Sequence, residues 1–176
     1  MNKKQKGFSL IELLIVVAII LIIAAIAIPN LLRAQMAAHE SSAVGSVRTI
    51  VTSQVTFQST WGIGFAATLG ALGQPPAGCT GGATVTQACL IDPVLTTANV
   101  SGKSGYFADT SSAGGAGTTS SPNTTFGVEA YPVTVGSTGQ RGFCSDESGV
   151  IHYNTTGGAI GTTDTACEAV TTILNN

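Results

Sequence analysis

The sequence predicts an α+β protein: a long N-terminal hydrophobic and amphipathic helix packed on a small antiparallel β-sheet head. Three observations carry that expectation. Phe8–Ile28 is an apolar run of 21 residues with a single charge, Glu12. After Pro29, apolar residues recur at helical spacing as far as Phe57. Beyond Trp61 the composition turns to Gly, Ser and Thr, with short apolar pieces between turn signals, and all four cysteines lie there.

As a helix rising roughly 1.5 Å per residue, the run 8–28 covers about 31 Å, which matches a bilayer's hydrocarbon core. Only hydrogen bonds within the segment can satisfy a backbone in lipid, so the run reads as a membrane-spanning helix. Glu12 is the residue to explain, because a carboxylate at a helix centre in lipid costs on the order of 2.5–3.5 kcal/mol on insertion scales. Its place near the end of the run offers partial escape to the interface. Lys3, Lys4 and Lys6 precede the run and place that end in the cytoplasm, with everything after Ile28 across the membrane. A secretory signal has a shorter apolar core followed by a small-residue cleavage site. Here Ala27-Ile28-Pro29-Asn30 matches such a site poorly, and the small residue, Gly7, stands before the run instead.

The stretch KGFSLIELLIVVAII, residues 6–20, resembles the N-terminal signature of type IV pilins and of the related pseudopilins of type II secretion. The resemblance implies cleavage between Gly7 and Phe8 by a prepilin peptidase and N-methylation of the new terminus, Phe8. Pro29 falls where the family commonly has a proline. The implied lollipop plan has four parts: a cleaved leader at 1–7, a transmembrane and filament-core helix at 8–28, an amphipathic helix half at 29–60, and a globular β head at 61–176 with disulfide-stapled loops. In a filament of packed apolar helices, the Glu12 carboxylate would meet the amine of a neighbour's Phe8. That pairing offsets its burial cost and sets the register of addition.

A head of roughly 115 residues has room for one modest core. Three of the seven basic side chains lie in the leader; the four that remain against nine acidic ones leave a formal −5. Such a balance argues against a broadly basic nucleic-acid-binding surface.

Past Pro29, Ala37, Val44, Val47, Val51 and Val55 form a stripe flanked by Ile50 and Phe57, while Arg33, His39, Glu40, Arg48 and Gln54 take other faces. We expect one helix from about residue 9 to about 59, bent or locally opened at Pro29 but not ended by it. Two helices broken at Pro29-Asn30 are the alternative, disfavoured because no loop-like run follows. Trp61-Gly62-Ile63-Gly64 closes the pattern. Thr68–Gln74 is ambiguous, residues 75–78 (PPAG) read as a turn, and Ser111–Asn123 reads as a flexible surface loop. Thr125–Val135, Arg141–Cys144 and Gly149–Tyr153 read as strands of an antiparallel meander, the last two joined by a turn at Ser145–Ser148. Pro132 makes the first an edge strand or marks a bulge in it. The pattern Gly139-x-Arg141-x-Phe143, followed by Asp146-x-x-Gly149-Val150-Ile151, resembles the sheet region of pilins and major pseudopilins.

Cys79, Cys89, Cys144 and Cys167 all fall on the non-cytoplasmic side, where disulfides persist. Nine residues separate the first two, which does not suit a zinc hook. Three pairings are open. Cys79–Cys89 with Cys144–Cys167 is favoured because each closes a local loop, and each bridge contributes on the order of 3 kcal/mol through the unfolded chain. By analogy with pilins, the region bounded by the second bridge would be exposed and recognise partners.

The sequence carries no catalytic or metal-binding pattern, so we expect no enzyme, no metal and no cofactor. His39 and His152 lack ligand spacing, and Asp146-Glu147-Ser148-Gly149 lacks the alternating carboxylates of a calcium loop, although major pseudopilins bind calcium in a nearby loop. Sequons at Asn99, Asn123 and Asn154 permit glycosylation without showing it. The resemblance implies a structural subunit that waits in the bacterial inner membrane, then polymerises into an extracellular helical filament for adhesion, twitching motility or DNA uptake. Its partners would be copies of itself, the prepilin peptidase, and the assembly platform with its ATPase. The alternatives are a major pseudopilin forming a periplasmic piston, and a membrane-anchored periplasmic enzyme or binding domain.

Overall fold

The computed structural model describes residues 9–74 and 78–174, so Gly7, Phe8 and the turn expected at Pro75-Pro76-Ala77 lie outside the described residues. Helix α1 runs Leu10–Trp61 as one element with Pro29 inside it, so the two-helix alternative is set aside. Two compact units divide the chain, Met1–Gln35 and Met36–Asn176. In the first, the helix exposes nearly every side chain, from Leu10 to Leu32.

The second unit is built on four antiparallel strands in the order β1 (Tyr106–Ala113), β2 (Thr125–Pro132), β3 (Gly142–Asp146) and β4 (His152–Asn154). β1 lies where no strand was expected, and it takes Ser111–Ala113 from the expected loop. Tyr106, Ala108 and Thr110 are its buried alternate positions, a period of two whose strand-forming Tyr106 and Thr110 are diluted by Ala108, Asp109, Ser111 and Ser112 around them. Thr68–Gln74 resolves into a short helix, α2 (Leu69–Leu72), capped by the Thr68 side chain on the Ala71 N–H.

β2 is an inner strand, paired with β1 along its length and with β3 from Gly127 to Ala130. The edge expected from Pro132 is therefore corrected: the proline sits at the strand's end, beyond the β3 pairing, where its missing N–H costs no bond there. β2 and β3 are buried almost throughout because both sheet faces are covered. Phe126, Val128, Ala130 and Phe143 join Ala43, Val47, Ile50 and Phe57 of α1 in the core. On the opposite face, Gly127 backs directly onto residues 162 and 163, so close that a Cβ there would sit 2.5 Å from the Thr162 carbonyl oxygen. Glu129 on that face accepts from the Ile160 and Gly161 N–H groups at 2.9 and 2.8 Å, which pins the C-terminal segment to the sheet.

The buried face of α1 is Glu40, Ala43, Ser46, Val47, Ile50, Ser53, Gln54 and Phe57, rotated from the expected stripe. Val55 is 53% exposed and Ala37 is exposed, whereas Glu40 and Gln54 turn inward. Gln54 earns its place by bracketing residue 66: its Nε2 donates to the Ala66 carbonyl and to Thr110 Oγ1, and its Oε1 accepts from the Ala66 N–H at 2.7 Å. A fully paired amide is tolerated in a core, and hydropathy alone cannot anticipate it.

Candidate functional site

At the start of α1, Ser9 stands as the N-cap residue, and its N–H donates to Glu12 Oε2 at 2.9 Å. Its carbonyl accepts from Leu13 at 3.2 Å. Glu12 thus reaches back over the first turn as the acidic half of a capping box, where the helix dipole favours negative charge. Around it Leu10 is 80% exposed and Leu13 57% exposed. None of the 18 residues in the most apolar stretch of α1 is buried, and the helix is long and apolar enough to cross a membrane. An apolar surface of this size requires lipid or neighbouring protein around it.

In the second unit, a charged staple joins α1 to the approach of β3. Glu40 Oε1 accepts from the Gln140 and Arg141 N–H groups at 2.9 and 3.2 Å. Its Oε2 accepts from Arg141 Nε and Nη2 at 2.9 and 2.7 Å. The Arg141 guanidinium also lies over the Phe143 and Tyr153 rings, at 5.5 and 5.2 Å from their centroids. Tyr106 Oη donates to the Arg141 carbonyl at 2.9 Å. Burial first, then the negative charge of Glu40, push the Tyr106 phenol above its ordinary value. Gly139 is needed here because a Cβ would fall 2.0 Å from the Tyr106 hydroxyl. The sequence pattern puts Glu40 on a face other than the apolar stripe and does not reveal this cluster. The Gly139-x-Arg141-x-Phe143 pattern points to the sheet region but carries no sign of Glu40, 101 residues away from Arg141.

Disulfides join Cys79 to Cys89 and Cys144 to Cys167, with Cα separations of 6.2 and 5.7 Å. The second ties β3 to a short helix, α3 (Asp164–Glu168), on the sheet face that Glu129 also pins. The histidines hold backbone carbonyls, His39 Nδ1 donating to Thr138 and His152 Nδ1 to Val170. Among the described residues no group of three or more His, Cys, Asp or Glu is placed to hold a metal. The Asp146 carboxylate accepts from the Ser148 N–H at 2.8 Å and closes the turn after β3. Of the sequon asparagines, Asn99 is exposed, Asn123 is buried and donates to the Phe65 carbonyl, and Asn154 donates to the Gly158 carbonyl.

Helix, sheet and N-terminal turn together define a class: a chain in which a long exposed apolar helical segment precedes a disulfide-bridged antiparallel sheet in sequence. Residues 2–28 match the family described as the prokaryotic N-terminal methylation motif. The chain is 48% identical over 58 residues, 33% of its own length, to the type IV major pilin protein PilA of Myxococcus xanthus, of which it covers 26%. It is 46% identical over 56 residues, 32% of its length, to the type IV wide pilus major component PilA4 of Thermus thermophilus, of which it covers 43%. The chain therefore spans less than half the length of either relative. No solved structure matches it. Residues 2–28 thus carry the methylation motif, and over about a third of its length the chain is similar to type IV major pilins.

Proposed function

We propose that the chain is the structural subunit of a type IV pilus. The single observation that carries this reading is an N-terminal helix that bears the methylation motif and buries no residue of its most apolar 18-residue stretch. Prepilin peptidase removes residues 1–7 between Gly7 and Phe8, and the exposed amine of Phe8 is methylated. The subunit waits in the inner membrane with residues 8–28 in lipid, its N-terminus cytoplasmic and its disulfide-bridged head across the membrane. Copies then exchange lipid for one another's helices, driven by the assembly platform and its ATPase. In the fibre, Glu12 exchanges its contact with the Ser9 N–H for the amine of a neighbouring Phe8, and the charge pair selects the axial register. The chain's role on this reading is structural, not enzymatic.

The test is fibre formation by cells carrying Glu12→Ala. Expected is a processed, membrane-resident protein with strongly reduced surface fibres under negative stain. Wild-type fibre yield would remove the charge-pairing argument. Gly7→Leu should leave uncut precursor, and normal maturation of that variant would count against the peptidase assignment.

A further inference from the structure

Cys79–Gln87 forms a strap held to the head at few points. All nine residues are exposed. Among the described residues their hydrogen bonds close on one another: Gly82 N–H to the Cys79 carbonyl, and Thr84 and Gln87 to each other through both backbone groups. Attachment resumes at Ala88, whose N–H donates to the Ala71 carbonyl at 2.8 Å, and at Cys89, whose N–H donates to the Gly73 carbonyl at 2.9 Å. Val85 and Thr86 wall one side of an open groove of about 550 Å³, with Phe57, Ile63, Phe65 and Asn123 among its other walls. The Cys79–Cys89 bridge closes the strap at its base. The second bridge is the reverse case: Cys144 and Cys167 are both fully buried, between β3 and the C-terminal segment.

Exchange requires a thiolate to approach a disulfide sulfur along the S–S axis, so access separates the two bridges more sharply than composition does. We propose that Cys79–Cys89 is a thiol-exchange site, opened by a dithiol reductant in the folded protein and freeing the strap from the groove wall, while Cys144–Cys167 stays closed. One thiolate of the reductant bonds to Cys79 Sγ, and the bond to Cys89 Sγ breaks, so that Cys89 leaves as a thiolate. The reductant's second thiolate then displaces Cys79 and closes the reductant's own disulfide. Two electrons pass to the protein, and both cysteine thiolates take up protons as the reductant's two thiols lose theirs. The site lies wholly within Met36–Asn176 and does not depend on the fibre reading.

The full chain in detergent micelles, treated with millimolar dithiothreitol and trapped with N-ethylmaleimide, tests this by peptide mass spectrometry. Labels should appear on Cys79 and Cys89 first, with Cys144 and Cys167 at least roughly 100-fold slower, because a buried bridge reacts only when the structure opens locally. Proteinase K should then cut within residues 79–88 on the order of 10-fold faster. A Cys79→Ser/Cys89→Ser variant should show the same cutting without reductant and keep its second bridge. Equal labelling of both pairs, earlier labelling of Cys144 and Cys167, or unchanged cutting once Cys79–Cys89 is open would each overturn the proposal.

Discussion

The carboxylate of Glu40 accepts from four donors, all on Gln140 and Arg141, and so fixes one turn of α1 against the start of β3. Glu40 is 8% exposed, whereas the Arg141 side chain is 37% exposed, so water screens one partner and the pair is worth less than a fully buried one. Removing the acid also strands two backbone N–H groups. Glu40→Ala should therefore lower stability by about 2–3 kcal/mol, read from denaturant midpoints of the micellar protein. Tyr106, one bond away, supplies a pH dependence. Its folded pKa is raised by burial and by Glu40, so its contribution is complete below the unfolded tyrosine value of about 10. That contribution is lost as pH climbs from there through the folded value. Thermal melts should show stability falling above about pH 10, and Tyr106→Phe should flatten part of that slope.

At the scale of elements, α1 and β2 were legible from their periodic, β-branched and aromatic signals. β3 runs on through Ser145 and Asp146 of the expected turn, and β4 keeps only His152 and Tyr153 of the expected Gly149–Tyr153. The rotation of α1 was not legible. A reading by hydropathy puts Val55 inward and Gln54 outward, yet the amide is drawn in by partners at residues 66 and 110, more than ten residues away in sequence. β1 escaped notice for a related reason. Its inward positions are Tyr106, Ala108 and Thr110, of which Thr110 is buried through bonds to Gln54 and to the Gly127 carbonyl. Such pairings exist only once the chain is folded. The two faces can be told apart by mutation: Ile50→Ala should cost about 3 kcal/mol, as for a fully buried aliphatic residue, while Val55→Ala should stay within about 0.5 kcal/mol. Comparable losses at both positions would return the stripe to its expected face. In the candidate site, Glu12 and the four cysteines could be singled out from sequence. The Glu40–Arg141 cluster could not, because an acid and a base 101 residues apart show no pairing until the sheet forms.

For the molecule as a whole, the division of labour follows from where apolar surface is left. Met36–Asn176 buries its own core on one sheet face and pins its C-terminal segment on the other. Of the described residues up to Gln35 almost none is buried, and the long apolar helix is left to be covered by lipid or protein. A single chain cannot cover that surface in water, and on the proposed reading lipid covers it before assembly and neighbouring copies cover it afterwards. The most direct test is the mass of the N-terminal peptide from protein sheared off cell surfaces. The account predicts a chain that begins at Phe8, carries one added methyl on its amine and sediments as fibres. A chain that begins at Met1 and behaves as a soluble monomer would contradict it.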